Sequence, residues 1–374
     1  MSLTQEKQEQ AQHHPVKRGG NLKKTIRMTI LYLVVATVCF VILIPVFFLV
    51  SLSFLSSREA YQYPLPLLPS FTTQFSLQKG ERGYLLSVYD KHSDEYETVL
   101  DTNDVEKMSY YMQDRLNTLM PEEDIQPYID EIKEKIEVEG VEDGVIYFSY
   151  RRDILQNYKV FFRITRDAVP ALLRSLQIAL LTILISLSVG GLAGYAFARY
   201  SFAGKNPLKF SVLFVRMFPA VAIALPMIII LADIGLYDRP LGLSLVYSVG
   251  SIGLTVWITA SIFLGIPVAL EEAAQVFGAN SFQAFMRITF PLALPGLAAA
   301  AMYAFLGAWN ETVAAIILTQ FNPTFSVVVY QTLLGSTGQV NLAAAAGMMM
   351  AIPAVVFTFF IRKYINQMWG GVTV

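Results

Sequence analysis

One polar stretch decides how this chain is interpreted: Glu271–Gly278, which reads EEAAQVFG, followed by Ile288–Pro291, which reads ITFP. Both lie between two long apolar segments. The chain of 374 residues is 54% apolar and 15% charged, with a mean hydropathy of +0.48. About a quarter of the residues in a soluble domain are charged. A patterned polar loop in so apolar a chain predicts a surface that another protein contacts.

The first half of this loop is expected to form a short helix. Glu271 and Glu272 fall in its first half, where the positive end of the helix dipole favours acidic side chains. Ala273 and Ala274 give the helix a face without bulk, and Gly278 permits the left-handed conformation that ends such a helix. The pattern therefore predicts a face that a partner protein can approach closely.

The second half is expected to form another short helix. Asn280, with Gln283 three residues later, makes a capping box. Pro291 is expected to stop this helix, because a proline lacks the N–H that would continue it. Residues 267–291 would then form a knob of two short helices, apolar on one side and acidic at one end. Such a knob on one side of a membrane requires a socket on a partner.

The apolar segments predict an all-α polytopic membrane protein, since about 20 apolar residues cross a bilayer core. A basic tail, residues 1–27, precedes the first span at 28–52, the permease core is expected at 171–366, and a short tail follows at 367–374. The expected spans are 28–52, 171–198, 210–232, 241–266, 292–318 and 342–365. The positive-inside rule then predicts that both termini and the polar loop are cytoplasmic.

A different region separates the first two spans. The loop 53–170 contains an acidic module, about 74–153, with 20 acidic and 9 basic residues, a net charge of −11. Strands at 84–88, 96–100 and 144–150, and helices beginning at Asn103 and Pro121, predict a small α+β fold outside the membrane. Two interpretations stay open: a solvated insertion, or a docking surface for an extracytoplasmic partner.

Ionisable residues inside predicted spans are costly and point to function. Arg216 lies in the third expected span, and Trp309, Asn310 and Glu311 lie together in the fifth. A carboxylate beside an amide and a tryptophan suits a hydroxylated ligand, so these four residues are candidates for a translocation path. A structural ion pair, or an arginine reaching towards the membrane surface, is the alternative.

Other chemistries are disfavoured by what the chain contains. A single cysteine, Cys39, excludes an intramolecular disulfide framework, and one cysteine with three histidines argues against a metal site. The phosphate-binding pattern G-x-x-x-x-G-K-[ST] does not occur. We therefore expect no catalytic residue, cofactor or nucleic-acid partner in this chain, and any ATP and Mg²⁺ to bind a separate ATPase.

The polar loop resembles the EAA loop of ABC importer permeases, E-A-A, three residues, G, nine residues, then I-x-L-P. Phe290 replaces the usual leucine, and Phe277 stands where an acidic residue often precedes the glycine. The chain is similar in particular to the carbohydrate-uptake branch, and to the second permease subunit of the maltose type. Further stretches that carry this resemblance are Arg174–Ala179, Gly194–Arg199, Trp309–Glu311 and Ile352–Pro353.

The resemblance implies a type I importer permease fold and a place in an assembly. The expected partners are a second permease, two ATP-binding subunits, an extracytoplasmic solute-binding protein, membrane lipid and a sugar substrate, in a bacterial or archaeal cytoplasmic membrane. The loop residues expected to contact the ATPase are Glu271, Glu272, Ala273, Ala274, Gly278, Ile288 and Pro291. A secondary transporter or channel subunit is the alternative, and a membrane-anchored enzyme or sensor is a more distant one.

Overall fold

The computed structural model describes residues 19–90, 93–118, 126–137, 145–335 and 339–370. The expected tail up to residue 18, the helix start at Pro121 and the end of the expected C-terminal tail lie outside these ranges. The elements up to the second membrane helix are α1 Gly19–Phe54, β1 Thr72–Lys79, β2 Tyr84–Asp90, β3 Glu95–Thr102, α2 Val105–Leu116, α3 Gln126–Glu137, β4 Ile146–Arg151, α4 Gln156–Ile164 and α5 Ala168–Arg199. The remaining elements are α6 Lys205–Val215, α7 Ala220–Asp233, α8 Pro240–Gly265, α9 Ala269–Val276, α10 Ser281–Ala284, α11 Phe290–Asn310, α12 Val313–Leu318, α13 Phe325–Leu334 and α14 Val340–Gly370.

Long apolar helices dominate the described residues and confirm the predicted polytopic architecture. Five are long and apolar enough to cross a membrane, or six if the bent pair α6 and α7 counts as one. The five are Lys24–Phe54, Ala168–Arg199, Pro240–Gly265, Ser281–Asn310 and Val340–Tyr364. Of the described residues, those from 19 to 49, most of α1, form one compact unit, and those from residue 50 onwards form another.

The third expected span, 210–232, is not one helix. Its two halves, α6 and α7, meet at an angle of 88°. Pro219 has an extended backbone conformation and precedes the first residue of α7. A proline disfavours the helical conformation of the residue before it, so Phe218 cannot continue α6 into α7. The single span expected from hydropathy is therefore a broken one.

The fifth expected span, 292–318, also differs at both ends. A five-residue π turn, Phe285–Thr289, joins α10 to α11, so Pro291 does not stop the helix as expected. The wider turn gives the proline ring room that a regular α-helix would deny it. The helix ends at Asn310, and Glu311 and Thr312 separate it from α12.

Small residues allow the helices α5 and α8 to pack closely. A Cβ atom on Gly194 would lie 2.0 Å from the Thr259 hydroxyl oxygen, and one on Gly190 would lie 2.9 Å from a carbon of Thr255. The Thr259 hydroxyl also donates to the Gly190 carbonyl at 3.2 Å. Close backbone approach is what small residues provide between membrane helices.

The acidic module is an antiparallel sheet of order β3-β2-β1-β4. Its core includes Phe75 and Leu77 of β1 and Met108 of α2, all of them fully buried. Strand β1 is absent from the sequence prediction, because two apolar residues in a polar stretch give a weak signal. Its position in the sheet is determined by pairing with β2 on one side and β4 on the other. Helix α2 is capped by Asp104 rather than Asn103, with a carboxylate that accepts from the Lys107 N–H at 3.1 Å.

A buried asparagine network joins this module to the helical core. The Asn157 amide donates to the carbonyls of Ser53 and Leu55, both at 2.8 Å. Its carbonyl oxygen accepts from Asn117, after α2, at 3.0 Å and from Asn341, in α14, at 3.1 Å. Four hydrogen bonds satisfy this amide fully, which is the condition for burying it. The module is therefore fastened to the core at its base.

A second polar contact lies beside this network. The Arg152 guanidinium, which is buried, donates to Glu59, to the Ser70 carbonyl and to the Phe54 carbonyl. Burial raises the pKa of Glu59, but Arg152 and hydrogen bonds from Ser70 and Ser56 lower it more, so the net pKa lies below the usual range. The carboxylate is thus held ionised by the contacts that fix the module.

Candidate functional site: the EAA loop and a polar cavity

The EAA loop, residues 267–291, has the two-helix shape that its sequence predicts. Helix α9 ends before Gly278, whose φ of +90° is the left-handed conformation. Asn280 and Gln283 form both halves of the capping box, at 2.8 and 3.0 Å. The predicted turn and cap are therefore confirmed, and they fix the angle between the two short helices.

The outer side of the loop is apolar and open. Val276, Phe277 and Phe282 expose 84%, 91% and 70% of their surfaces, and Glu272 beside them is also exposed. Large apolar side chains grouped on a surface are typical of a contact with another protein. Glu272 and the exposed Ala273 thus belong to a face that has the character of a docking surface.

The other acidic residue of the loop points inwards. The Glu271 carboxylate accepts from Tyr195, from Arg199 and from Thr289, each at 2.7 Å. Burial raises the pKa of Glu271, and the three hydrogen bonds, with the positive charge of Arg199, lower it more, so the net pKa lies below the usual range. Glu271 therefore holds the loop from within, and its carboxylate is not part of the exposed face with Glu272.

Arg199 extends this contact to a second membrane helix. Its guanidinium donates to the carbonyls of Phe263 and Ile266 at 2.8 and 3.1 Å. These carbonyls lie at the end of α8, where a helix leaves acceptors unsatisfied. One arginine at the end of α5 thereby connects α8 to α9. We call Glu271, Arg199, Tyr195 and Thr289 the loop clasp.

A polar cavity of about 280 Å³ lies at the breaks of the two interrupted helices. Arg216 borders it from the break between α6 and α7, and Glu311 from the break between α11 and α12. Tyr247 and Ser251 of α8 and Tyr303 of α11 complete its polar lining. The structure thus brings together two of the four residues proposed for a translocation path, which are 95 positions apart in the chain.

Each of these two charged groups is held by neutral neighbours. The guanidinium carbon of Arg216 lies 4.9 Å from the centre of the Tyr303 ring. Glu311 accepts from the Ala314 N–H at 3.0 Å through one carboxylate oxygen, and its backbone carbonyl accepts from Tyr247 at 3.3 Å. Among the described residues, no salt bridge joins Arg216 to Glu311.

Comparison with known proteins places this geometry in a family. Residues 186–369 match the model of the binding-protein-dependent transport system inner membrane component. The trehalose transport system permease protein SugB of Mycobacterium tuberculosis is 35% identical over 216 residues, which cover 56% of this chain and 77% of that protein. This chain is a permease of that family. The matched residues contain the EAA loop, the loop clasp and the cavity, whereas the acidic module lies outside them.

Other relatives of the permease agree with this assignment. The maltodextrin transport system permease protein MalD of Streptococcus pneumoniae is 28% identical over 203 residues, 53% of this chain and 72% of that protein. A solved bacterial ABC transporter for alginate import has the same fold, with a TM-score of 0.57 at 16% identity, covering 94% of this chain and 100% of that one. The permease is thus a multi-pass inner-membrane subunit of the ABC-transporter type, a family of non-catalytic membrane subunits.

Two other residues proposed for the translocation path do not line the permease's cavity. Trp309 is buried, donates to the Met350 carbonyl at 2.9 Å and stacks on Phe305. Asn310 is exposed and is not among the residues around the cavity. The geometry gives Trp309 a packing contact between α11 and α14.

A larger cavity of about 700 Å³ between α5 and α11 suits a polar substrate less well. Its lining is almost wholly apolar, so it offers a polar ligand few partners. The smaller cavity, with its polar lining residues, is therefore the better candidate for a polar ligand.

Sequence reasoning missed several residues that the permease structure brings into these sites. Arg199 and Tyr195 entered only as members of the Gly194–Arg199 stretch and Thr289 only within the stretch ITFP, and the sequence predicted no contact for any of them. Tyr247 and Tyr303 lie in apolar helices with nothing nearby in sequence to distinguish them. One signal in the sequence could have indicated an inward-facing acid. Glu271 and Glu272 are adjacent, and two adjacent helical residues cannot share one face, so only one of them can lie on the exposed side.

Proposed function

We propose that this permease is the transmembrane subunit of an ATP-driven importer for a sugar or oligosaccharide. It forms half of a translocation pathway with a second, different permease. Two ATP-binding subunits hold the ATP and Mg²⁺, and a solute-binding protein delivers the sugar from outside. The relatives named for trehalose and maltodextrin transport support the sugar class.

The observation that carries this proposal is the exposed face of the EAA loop. Val276, Phe277 and Phe282 are too exposed to stabilise the chain by themselves, and burying such side chains against a partner is favourable by about 1.5–3 kcal/mol each. Glu272 and Ala273 lie on the same open side. A cleft on the ATPase subunit is the partner that this face would fit.

The membrane orientation follows from charge. The basic end of the first helix, the Arg199–Lys209 segment, the EAA loop and the Arg362–Lys363 pair are proposed to face the cytoplasm, together with both termini. The acidic module then lies outside, where a solute-binding protein would meet it.

ATPase coupling is tested in the assembled transporter. We expect Glu272→Lys and Gly278→Ala to lower sugar-dependent ATP hydrolysis at least several-fold, because one reverses a charge on the docking face and the other strains a left-handed turn. Gly204→Ala is the matched control: this glycine also has a positive φ, of +80°, and open space around an added Cβ. Unchanged hydrolysis in both loop variants contradicts the proposal, as does sugar uptake driven by an ion gradient without the ATPase.

The acidic module is proposed to dock the solute-binding protein. Leu77 of β1 pairs directly with Ile146 of β4. Replacing residues 78–145 by the two residues Asn-Gly therefore closes β1 and β4 into a hairpin and leaves Arg152 in place. A docking module predicts a higher half-saturating concentration of the binding protein in this variant. An unchanged value identifies the module as a solvated insertion.

A further inference from the structure

We propose that this chain itself contributes a subsite for a neutral sugar unit, at the cavity where its two interrupted helices meet. This inference rests on the proposed function and adds the residues that contact the substrate. The site comprises Arg216, Glu311, Tyr247, Ser251 and Tyr303.

The first argument concerns the backbone. Residues 216–219 and 311–312 are the non-helical segments that interrupt two apolar helical stretches, and Arg216 and Glu311 in them both border the cavity. Irregular backbone at membrane depth is tolerated only where it is buried in protein or lines an aqueous cavity. Secondary transporters form substrate sites at discontinuous helices of this kind, and the same backbone argument applies here. Two breaks at one cavity therefore indicate a site and not two separate irregularities.

The second argument concerns charge. A charged side chain in the membrane interior costs at least about 2.5 kcal/mol, so it is retained where it pairs or where it serves a pathway. Arg216 and Glu311 share the cavity without a salt bridge between them among the described residues. Their opposite charges make the pair neutral overall, which disfavours an ionic substrate and suits an uncharged one.

The third argument concerns hydrogen bonding. The guanidinium of Arg216 is held over the Tyr303 ring, and no other described residue accepts from its N–H groups, which are therefore available as donors. One carboxylate oxygen of Glu311 binds the Ala314 N–H, and the other, which has no donor among the described residues, is an available acceptor. A sugar hydroxyl both donates and accepts, so neighbouring hydroxyls on one sugar ring can bind both groups at once.

The size of the cavity limits what it holds. About 280 Å³ corresponds to roughly nine water molecules at ~30 Å³ each. This volume suits a part of an oligosaccharide, with the remainder in the space that the second permease subunit lines. The site is therefore one subsite of a longer pathway.

Cysteine protection in the assembled transporter tests the location. The chain has one cysteine, Cys39, so a Cys39→Ser background is free of thiols. Gly250 and Gly307 border the cavity, and an added Cβ meets nothing within 4 Å at Gly250 and only the Ser251 hydroxyl oxygen, at 3.9 Å, at Gly307. Gly250→Cys and Gly307→Cys are treated with a small methanethiosulfonate reagent, with and without trehalose or maltotriose. Gly265→Cys, at the end of α8 with equal space, is the control.

We expect a transported neutral sugar to slow modification of both cavity cysteines several-fold and to leave Gly265→Cys unchanged. Equal rates with and without sugar overturn the subsite, and so does equal protection at Gly265→Cys, which indicates a general conformational change. A wild-type transporter, with Cys39 in place, that takes up no neutral sugar contradicts the proposed function and not the subsite alone.

Uptake kinetics test the side chains. We expect Arg216→Met to raise the half-saturating sugar concentration about tenfold, the loss of roughly one charged hydrogen bond. Glu311→Gln, which keeps the acceptor for Ala314, is expected to do the same. Arg362→Met is the control, because this arginine also lies over an aromatic ring, 5.0 Å from the centre of Phe359, outside the cavity. Equal half-saturation in Arg216→Met and Arg362→Met overturns the assignment.

Discussion

The permease contains two arginine–glutamate pairs with different roles, one structural and one at a cavity. Arg199 and Glu271 meet at 2.7 Å, and both side chains are at least 90% buried. Arg216 and Glu311 border one cavity, and within the described part of the chain no salt bridge joins them. The first pair holds the EAA loop to the membrane helices, whereas the charged groups of the second pair border the cavity and do not bind each other.

The two pairs differ in how many hydrogen bonds their charged groups already make, and this number distinguishes a structural residue from one that can bind a ligand. The carboxylate of Glu271 accepts three hydrogen bonds, and the Arg199 guanidinium binds two carbonyls in addition to it. A buried charge is retained at acceptable cost only with such partners. Arg216 has an aromatic ring beneath it, and among the residues that the structure describes only one of the two carboxylate oxygens of Glu311 accepts a hydrogen bond. The residues whose hydrogen-bonding groups are only partly used, Arg216 and Glu311, are the ones available to a ligand.

The largest expected effect comes from breaking the loop clasp. Arg199→Ala leaves the Glu271 carboxylate buried without its charged partner, and removal of one member of a buried ion pair costs about 3–5 kcal/mol. We expect a drop in the thermal midpoint of the purified permease and loss of ATPase binding. Arg287→Ala, at an exposed position in the same loop, is the control. Equal midpoints for the two variants contradict a structural role for the clasp.

Removing one uncharged hydrogen-bond donor to Glu271 is expected to lower the stability less than removing Arg199. Tyr195→Phe deletes only the hydroxyl that donates at 2.7 Å, which costs about 1–3 kcal/mol when the acceptor stays buried. The double variant with Thr289→Val should lose more than the sum of the two single losses, because in each single variant the two remaining donors can move towards the carboxylate, whereas the double variant keeps only Arg199. Thermal unfolding of all three variants measures this coupling, and strict additivity argues against a shared site.

The pH dependence sharpens the same comparison. Because the pKa of Glu271 is lowered in the folded state, the clasp contributes its full stabilisation above the ordinary carboxyl pKa, near 4.5. That contribution is lost as the pH falls below this value through the folded-state pKa. The difference in thermal midpoint between wild type and Glu271→Gln should shrink from pH 7 to below pH 4.5. A difference that stays constant with pH shows that the carboxylate charge is not what stabilises the loop.

The smallest effect on stability is expected at the cavity. Arg216→Met removes a charge that, within the described residues, binds no carboxylate, so the contact with Tyr303 is what is lost, about 0.5–1 kcal/mol at an exposed site. The thermal midpoint should therefore change little, in contrast to Arg199→Ala. If the two arginine variants destabilise the permease equally, the distinction between a clasp and a ligand site fails.

The sequence signals for the EAA loop were strong because they are local. A glycine that needs a left-handed conformation and an asparagine that caps a helix act within a few residues, and both predictions are confirmed at Gly278 and Asn280. Hydropathy likewise predicted the membrane helices, because the length of an apolar run is a property of the sequence alone. Strand β1 was missed because its strand character depends on its two neighbours in the sheet.

What the sequence determined by itself is therefore the class of molecule, the approximate spans and the local shape of the loop, since short-range sterics and hydrophobicity decide these. Only the tertiary structure decided that Glu271 turns inwards to Arg199, 72 residues earlier, while Glu272 stays outside. It also decided that Arg216 and Glu311 share a cavity. Adjacent residues on a helix face different directions, and which direction finds a partner depends on helices that are distant in the chain.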